Sequence, residues 1–461
     1  MPTIVLYPAP AMGHLISMVE LGKFILKHHP NYSITVLTLT NSFNTGSIVS
    51  YVRHIAATVP AISFHHLPDI ALDLEAYPTS EAIIFDLIGR SVHNVDAALR
   101  SISPTALIID LFCTSAMMAA ASVNIPVYYF ITSGACCLVE ILYFPVLDRD
   151  YPGSFRDMNR LVYSPGMPPI PSSDMPAVVL DRNSTDYSDM LKLADCLPKS
   201  AGIILNTFGA LEPKPIKAIT DGLCVEGHTP PLYCVGPVLS DGGDGSHECL
   251  KWLDLQPNES VVYLCFGSEG LFSCDQLKEI AKGLEMSGQR FLWVIRSPPT
   301  VKKGELFTPP ELPDLDSLLP DGFLERTKDR GLVVKGWAPQ VKVLSHDSVG
   351  GFVTHCGWNS VLESVRAGVP MVAWPQYAEQ RMNKIVMVEE MKVALPMDES
   401  ERGKVAAAEV GRRVRQLMES EEGKFVREVV KARKEDAARA INHTNGSSRV
   451  ALGKLVESWT R

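Results

Sequence analysis

Two residues in the first quarter of the chain have the types and settings that proton transfer needs. His14 ends the run Pro8-Ala-Pro-Ala-Met-Gly13-His14, which follows a short apolar stretch and opens a helical pattern. Asp110 closes the apolar run Ile108-Ile109-Asp110. In an open parallel sheet of order 3-2-1-4-5, strands one and four are neighbours, and ligands bind beyond their carboxyl ends. That order sets His14 opposite Asp110. A carboxylate bonded to an imidazole fixes its tautomer and stabilises the imidazolium, so the pair can take a hydroxyl proton near neutral pH. Without a ligand, the same residues read as a polar helix start and a helix cap. Gly13, beside His14, permits close approach of backbone to a ligand.

A second constellation lies at residues 337–380. The apolar run Gly351-Phe-Val-Thr354 leads into His355-Cys-Gly-Trp-Asn-Ser360 and then a helical pattern. Backbone amides at Gly357, Asn359 and Ser360, aided by the helix dipole, suit a diphosphate, and His355 adds a donor. Ser360-Val-Leu-Glu363 also matches a capping box, in which Glu363 serves only its own helix. Trp337, in Gly336-Trp-Ala-Pro339, fits either a core position or a platform for a nucleobase. Asp148-Arg-Asp150 and Asp314-Leu-Asp316 have a D-x-D spacing that can hold a metal, but neither follows the strand of a nucleotide site. Both read as loop charges, and no metal site is expected.

The elements that must position these residues are legible as two series of β-branched and aromatic runs alternating with helical patterns, the mark of βαβ units and parallel sheets. The first series predicts strands at 3–7, 33–39, 61–67, 106–110 and 127–131, with helices at 14–28, 45–58, 79–100, 115–123 and 133–144. The second predicts strands at 260–266, 290–295, 332–335, 351–354 and 370–373. Between them the Gly-, Asp- and Ser-rich residues 236–246 read as a linker. The expected domains are 1–238, 239–441 and a C-terminal helical piece, 442–461, that packs back on the first domain. Pro-rich residues 164–176 and 297–320 read as loops or covers over a site.

Composition agrees with a folded small-molecule enzyme. The chain has 461 residues, 43 Lys+Arg against 52 Asp+Glu and 46% hydrophobic residues, which excludes disorder as the main state and disfavours a nucleic-acid partner. Ten cysteines without a C-x-x-C pair point to neither zinc nor a disulfide framework. No secretory pattern opens the sequence and no apolar run reaches membrane-spanning length, so a cytoplasmic monomer without a membrane span is expected.

The run WAPQVKVLSHDSVGGFVTHCGWNSVLESVRAGVPMVAWPQYAEQ closely resembles the donor-binding signature of plant family-1 UDP-sugar glycosyltransferases. The opening PAPAMGHL, the LIID strand end and the CFGS turn occur in that family's order. The resemblance implies an α/β fold of the GT-B type, two facing Rossmann-like domains with both substrates in the cleft. It implies that Trp337 stacks on uracil, that Ala338 and Gln340 hold the nucleoside, and that Glu363 binds the ribose. His355, Asn359, Ser360 and Ser268 would hold the diphosphate. Trp358, Glu379 and Gln380 would face the sugar, with Thr132 near its primary hydroxyl. His14 would be the general base and Asp110 its orienting partner.

The resemblance also implies an inverting transfer without cofactor or metal, UDP-glucose being a co-substrate. Trp358 stands where glucuronosyl-transferring relatives often carry Arg, and Gln380 where galactosyl-transferring ones frequently carry His, so glucose is the expected sugar. The wording near residues 374–396 is closest to the branch acting on flavonoids, chalcones and related phenols, giving a β-O-glucoside. Phe85, Phe112 and Met117 are the candidate acceptor walls. Glu269, in Phe266-Gly-Ser-Glu-Gly270, is unusual for its loop. Attack by a ring carbon and another UDP-hexose remain alternatives, although the Asp-Pro-Phe wording of many C-glycosylating relatives is missing. A nucleotide-dependent oxidoreductase lacks its G-x-G-x-x-G after either first strand. A non-catalytic UDP-sugar or phenol binder is the remaining reading from a different class.

Overall fold

Short runs of Val, Ile, Leu and aromatic residues, apolar on both faces, form two parallel sheets. The computed structural model describes residues 1–39, 46–242, 247–299, 312–400 and 403–459. Its described residues divide into two compact units, one holding Met1–Leu239 with the residues from Arg439 onward, the other the residues from Ser240 to Ala438.

The first unit contains β1 (Thr3–Tyr7), β2 (Ser33–Leu39), β3 (Ile62–Leu67), β4 (Ala106–Asp110), β5 (Val127–Ile131), a small antiparallel pair β6 (Leu161–Val162) and β7 (Ile170–Pro171), and then β8 (Gly202–Leu205) and β9 (Leu232–Cys234). The main sheet has the order β3-β2-β1-β4-β5-β8-β9. Strand order reverses between β1 and β4, whose register pairs Tyr7 with Ile109. Alternate residues Ile4, Leu6, Ile108, Tyr128 and Phe130 pack on one face with Leu15, Met18 and Val19 of the helix Met12–His28.

The second unit contains β10 (Val261–Cys265), β11 (Arg290–Ile295), β12 (Gly331–Lys335), β13 (Val349–Thr354), β14 (Met371–Ala373) and β15 (Ala394–Pro396), in the order β12-β11-β10-β13-β14-β15. Here the reversal falls between β10 and β13, which pair from Val261 to Thr354. Val262, Leu264, Trp293 and Val353 share a core with Leu277, Ile280 and Leu284 of the helix Cys274–Ser287 and with Val410 and Val414 of Ala407–Glu419.

All ten expected strands are present, with ends shifted by no more than two residues. The expected helix at 79–100 is broken into Ser80–Arg90 and Val92–Ile102, because the buried Ser91 turns its hydroxyl back onto the Leu87 carbonyl at 2.7 Å. The helix expected to stop at 144 continues to Asp150 through Pro145, since Phe144, Val146 and Leu147 on either side are buried. The expectation at position 45, the linker residues 243–246 and the Pro-rich residues 300–311 lie outside the described residues.

After the helix Glu421–Asn442, the helix Ser447–Ser458 lies against β9 and adds Leu452, Leu455 and Trp459 to the first unit's core. Trp459 meets Tyr32 edge-on at 5.3 Å, and the buried Ser448 hydroxyl donates to the Gly236 carbonyl at 2.5 Å. Replacing Trp459 with Ala removes the largest side chain of that seam and should cost about 3–5 kcal/mol. A lowered midpoint of the first urea transition is expected; an unchanged midpoint would show that the seam does not support the unit.

Candidate functional site

At the reversal point of the first sheet, the end of β1 runs into the loop that starts the helix Met12–His28, and β4 ends on Asp110. The His14 Nδ1 lies 2.7 Å from Asp110 Oδ2. Asp110 has no exposed surface, whereas the His14 side chain is 25% exposed. The other carboxylate oxygen accepts the Phe112 amide at 3.1 Å and caps the turn Leu111–Cys113. One oxygen of Asp110 thus caps a turn while the other meets the His14 ring. A carboxylate accepts only, so Nδ1 carries the hydrogen and Nε2 is left to take a proton.

Thr132, just beyond β5, places its hydroxyl oxygen 3.3 Å from the same Nδ1. Phe112 packs edge-on to the His14 ring at 5.7 Å, and Phe85 edge-on to Phe112 at 5.3 Å. Phe85 rides on the helix Ser80–Arg90, capped by Thr79, whose hydroxyl accepts the Ala82 amide and donates to the buried Asp186. An imidazole packed against one aromatic ring, itself backed by a second, is thus built on rigid elements. Met117 is held differently: its sulfur accepts the Tyr129 hydroxyl at 3.1 Å. Gly13 is exposed beside His14, and its carbonyl takes the Ser17 hydroxyl. A cavity of about 280 Å³ on the same loop, lined by Pro8, Leu39, Val52, Arg53 and His66 among others, includes neither His14 nor Asp110.

The reversal point of the second sheet has a different chemistry. The loops after β10 and β13 bring Gly267 and Gly357 against the same Nε2 edge of the His355 ring. A Cβ at Gly357 would lie 2.4 Å from His355 Nε2, and one at Gly267, where φ is +75°, 2.5 Å from it. Cys356 between them adopts φ +68°, a strained conformation for a side chain of that kind. Burial pushes the His355 pKa down to about 4, so at neutral pH the imidazole is uncharged. Its Nδ1 is buried without a partner.

Gly357 is the cap of the helix Trp358–Ala367 and offers no side-chain hydrogen bond to it. The helix therefore starts two residues before Ser360, and the capping-box reading fails: Ser360 lies in the first turn. Its hydroxyl and the Glu363 carboxylate instead both accept the Gln340 side-chain amide at 2.8 Å. Burial raises the Glu363 pKa, an effect the Gln340 hydrogen bond opposes. Asn359 is the second residue of this helix, and Ala338 is buried below the neighbouring turn. Trp337 is 67% exposed, with His247 edge-on at 6.0 Å, so the core reading of its ring is excluded. Ser268 is exposed on the loop after β10.

Three candidates depart from a simple sugar-facing role. Trp358 is 3% exposed, its indole forming core below the helix start. Gln380 is also buried, and its carbonyl oxygen accepts the Gln376 and Tyr377 amides at 2.9 and 3.0 Å, which shapes its own loop. Glu379 is linked through Asn383 to the loop after β13: the Asn383 amide reaches the Cys356 carbonyl at 3.0 Å and Glu379 at 3.4 Å. Asn383 went unnoticed in the sequence because nothing in its helical setting marks it. Arg296 was missed too, although it directly follows β11 and therefore stands at the carboxyl edge of the sheet. Its guanidinium donates to the Gly267 carbonyl at 3.5 Å and feels the charge of Glu269, which gives that unusual acid a partner near the loop.

The two D-x-D segments are occupied elsewhere. Asp148 pairs with Arg182 at 2.7 Å, Asp150 with Arg149, and Asp314 caps the helix Leu315–Leu318. Among the described residues no cluster of three or more His, Cys, Asp or Glu is placed to hold a metal, and no helix is long and apolar enough to cross a membrane. Gly357→Ala tests the second site: its φ of −63° suits Ala, so only the clash with His355 acts. Overpacking should cost about 1–3 kcal/mol and weaken UDP at least about tenfold in a titration. Unchanged UDP affinity would remove His355 from the site.

Comparison with known proteins bears on both sites. Residues 242–421 match the family model described as UDP-glucoronosyl and UDP-glucosyl transferase. A phloretin 2'-O-glucosyltransferase of Malus domestica is 50% identical over 469 residues, covering 97% of each chain. An anthocyanidin 5,3-O-glucosyltransferase of a Rosa hybrid cultivar is 47% identical over 99% of this chain and 98% of its own. The solved structure of Phytolacca americana UGT2, complexed with UDP-2fluoro-glucose and pterostilbene, superposes with a TM-score of 0.91 at 39% identity over 100% of both chains. With its two Rossmann-like sheets and identity along nearly its whole length, the chain belongs to the plant family-1 UDP-glycosyltransferases, enzymes of the GT-B class that use a UDP-sugar as co-substrate.

Proposed function

We propose that this enzyme transfers glucose from UDP-glucose to a phenolic hydroxyl of a flavonoid, chalcone or related plant phenol, with inversion, giving a β-O-glucoside. The observation that carries the reading is the His14–Asp110 pair at 2.7 Å with Phe112 packed on the imidazole and Phe85 packed on Phe112. It joins a base and an aromatic wall, the two things a phenol acceptor needs. The phloretin and anthocyanidin relatives act on compounds of that class. A phenol's pKa near 10 allows an imidazole to remove its proton with modest driving force.

In this scheme His14 Nε2 takes the phenolic proton while the oxygen attacks the anomeric carbon and the bond to UDP breaks. Asp110 holds the Nδ1–H tautomer and stabilises the imidazolium. The first-turn amides of Trp358–Ala367, Ser360, Asn359, Ser268 and the neutral His355 receive the charge that develops on the diphosphate. Trp337 carries the uracil, with Ala338 and Gln340 beside the nucleoside and Glu363 on the ribose. Glu379, Gln380 and Trp358 set the sugar subsite, and Thr132 lies near the primary hydroxyl. The first unit serves the acceptor and the second the donor. The ten free cysteines fit a cytoplasmic setting, where the enzyme works as a monomer.

Incubation of the purified chain with UDP-glucose and a panel of flavonoids, chalcones and simple phenols should give free UDP and one added hexose, labile to β-glucosidase, with full rate retained in a chelator. A product resistant to β-glucosidase and acid would mean ring-carbon attack instead. His14→Ala should lower kcat by about 10²–10⁴-fold and leave UDP affinity intact. Asp110→Asn, which presents an amide to Nδ1 and disfavours the active tautomer, should cost at least about a hundredfold. Wild-type rates in His14→Ala would dismiss the base.

The neutral state of His355 gives a pH signature for the donor. A diphosphate beside the ring favours the imidazolium and raises its pKa above about 4 in the complex. Between the two values the complex holds more protons than the free enzyme, so affinity rises as pH falls through that window. Calorimetry of UDP-glucose at about pH 5 in buffers of different ionisation enthalpy should register proton uptake that His355→Gln abolishes and that vanishes near pH 8. Equal uptake in the variant would assign the proton elsewhere.

A further inference from the structure

The helix Ala135–Asp150 follows β5 and the turn that carries Thr132. Its cap residue, Gly134, has no side chain, and the helix receives no local side-chain cap. Two of its first amides are satisfied from 77 residues away. Glu212 Oε2 accepts the Ala135 amide at 2.8 Å, and Oε1 the Cys136 amide at 3.0 Å. Glu212 is 2% exposed. A buried carboxylate is costly unless fully bonded, and a helix start with unfilled amides is costly too, so each settles the other.

Topology explains the reach. β8 lies beside β5, pairing Leu205 with Ile131, and Glu212 follows β8 by one turn. That turn is itself fixed. The buried Asn206 side chain bonds both the Val238 amide, at 2.7 Å, and the Val238 carbonyl, at 3.0 Å. The Gly236 amide donates to the Thr207 carbonyl at 2.9 Å, and Phe208 and Leu211 are buried. Glu212 is therefore presented by a rigid hub. What it holds is the segment from Thr132 to Cys136, and Thr132 is the residue whose hydroxyl lies 3.3 Å from His14 Nδ1.

We propose that Glu212 is a positioning residue of the transfer reaction: by clamping the Ala135 and Cys136 amides it fixes the Thr132–His14 contact and so the orientation of the catalytic base. The Nδ1–H is shared between Asp110 and the Thr132 oxygen, and the imidazolium formed in the reaction donates to both more strongly than the neutral ring does. Loss of the Thr132 acceptor destabilises that imidazolium and lets the ring turn. The inference rests on the proposed role of His14.

The test uses the full chain with Glu212→Gln, Thr132→Val and the double variant. Gln keeps the shape but presents an amide group to one of the two N–H donors. UDP affinity and the thermal midpoint establish that each variant is folded; Glu212→Asp, which withdraws the oxygens by one methylene, replaces Gln if Gln does not fold. The expected result is a kcat about tenfold lower for Glu212→Gln, with UDP affinity and acceptor KM within about twofold, and a double variant no slower than the worse single one. The His14 pKa, followed by NMR of labelled imidazole and assigned with His14→Gln, should fall in Glu212→Gln but not fall further when Glu212→Gln is added to Thr132→Val. That readout needs no turnover.

Multiplicative losses in the double variant overturn the proposal, as does a pKa change that persists in the Thr132→Val background, which would mean Glu212 acts by its charge alone. A lower active fraction with unchanged kcat would make the residue structural only. If His14→Ala retains full activity, the reading of the base fails instead, and the NMR result still decides whether Glu212 orients His14.

Discussion

A carboxylate with no exposed surface is tolerated only where donors fill its lone pairs. Asp110 finds two, the His14 ring and the Phe112 amide, and the geometry around the base follows from that requirement. Filling one oxygen fixes which nitrogen of His14 carries hydrogen. Filling the other shapes the turn after β4 and so sets Phe112 edge-on to the imidazole. One burial constraint thus defines the tautomer, the ring's orientation and the first piece of the aromatic wall.

The two histidines at the two reversal points show how one architecture is put to two uses. His14 is partly exposed and bound to an anion, an arrangement that stabilises a proton once taken. His355 is enclosed by Gly267 and Gly357 with no carboxylate bonded to it, and desolvation keeps it neutral. Environment rather than residue type separates the two imidazoles. The glycines are part of that environment: only residues without Cβ let two backbone segments lie so close to the ring's Nε2 edge.

The sequence made the long strands plain because parallel strands buried on both faces are continuous apolar runs, as at 106–110 and 127–131. It hid β8, β9 and β15, which have four, three and three residues, begin on Gly202 or end on Pro396, and are held by neighbours more than by propensity. The His14–Asp110 pair was legible from topology, since strand order alone brings them together. The roles of Ser360 and Glu363 were not, because a capping box and a ligand site share one spacing, and only the helix start at Trp358 separates them. Trp337 was ambiguous between core and platform, and the fold exposes it, whereas Trp358, expected to face the sugar, is buried. The clamp from Glu212 to Ala135 had no local signal, because its partners are 77 residues apart and meet only through the β5–β8 pairing.

The two units, alike in topology, differ in what occupies the backbone amides at their strand ends. In the first, the strand ends nearest the reversal point are served by acidic side chains: Asp110 occupies the amide after β4, and Glu212 occupies the amides of the helix after β5. A diphosphate there would displace bonded carboxylates and meet two negative charges at short range. A neutral phenol meets neither penalty and finds a base. In the second unit the corresponding strand, β13, ends in Thr354-His355-Cys356-Gly357, and no side chain caps the helix that follows. The amide-rich helix start and its dipole are then directed at the ligand edge, where an anion is favoured. The difference between the two sheets is thus local: carboxylates bond the amides after β4 and β5, whereas no side chain bonds the start of Trp358–Ala367.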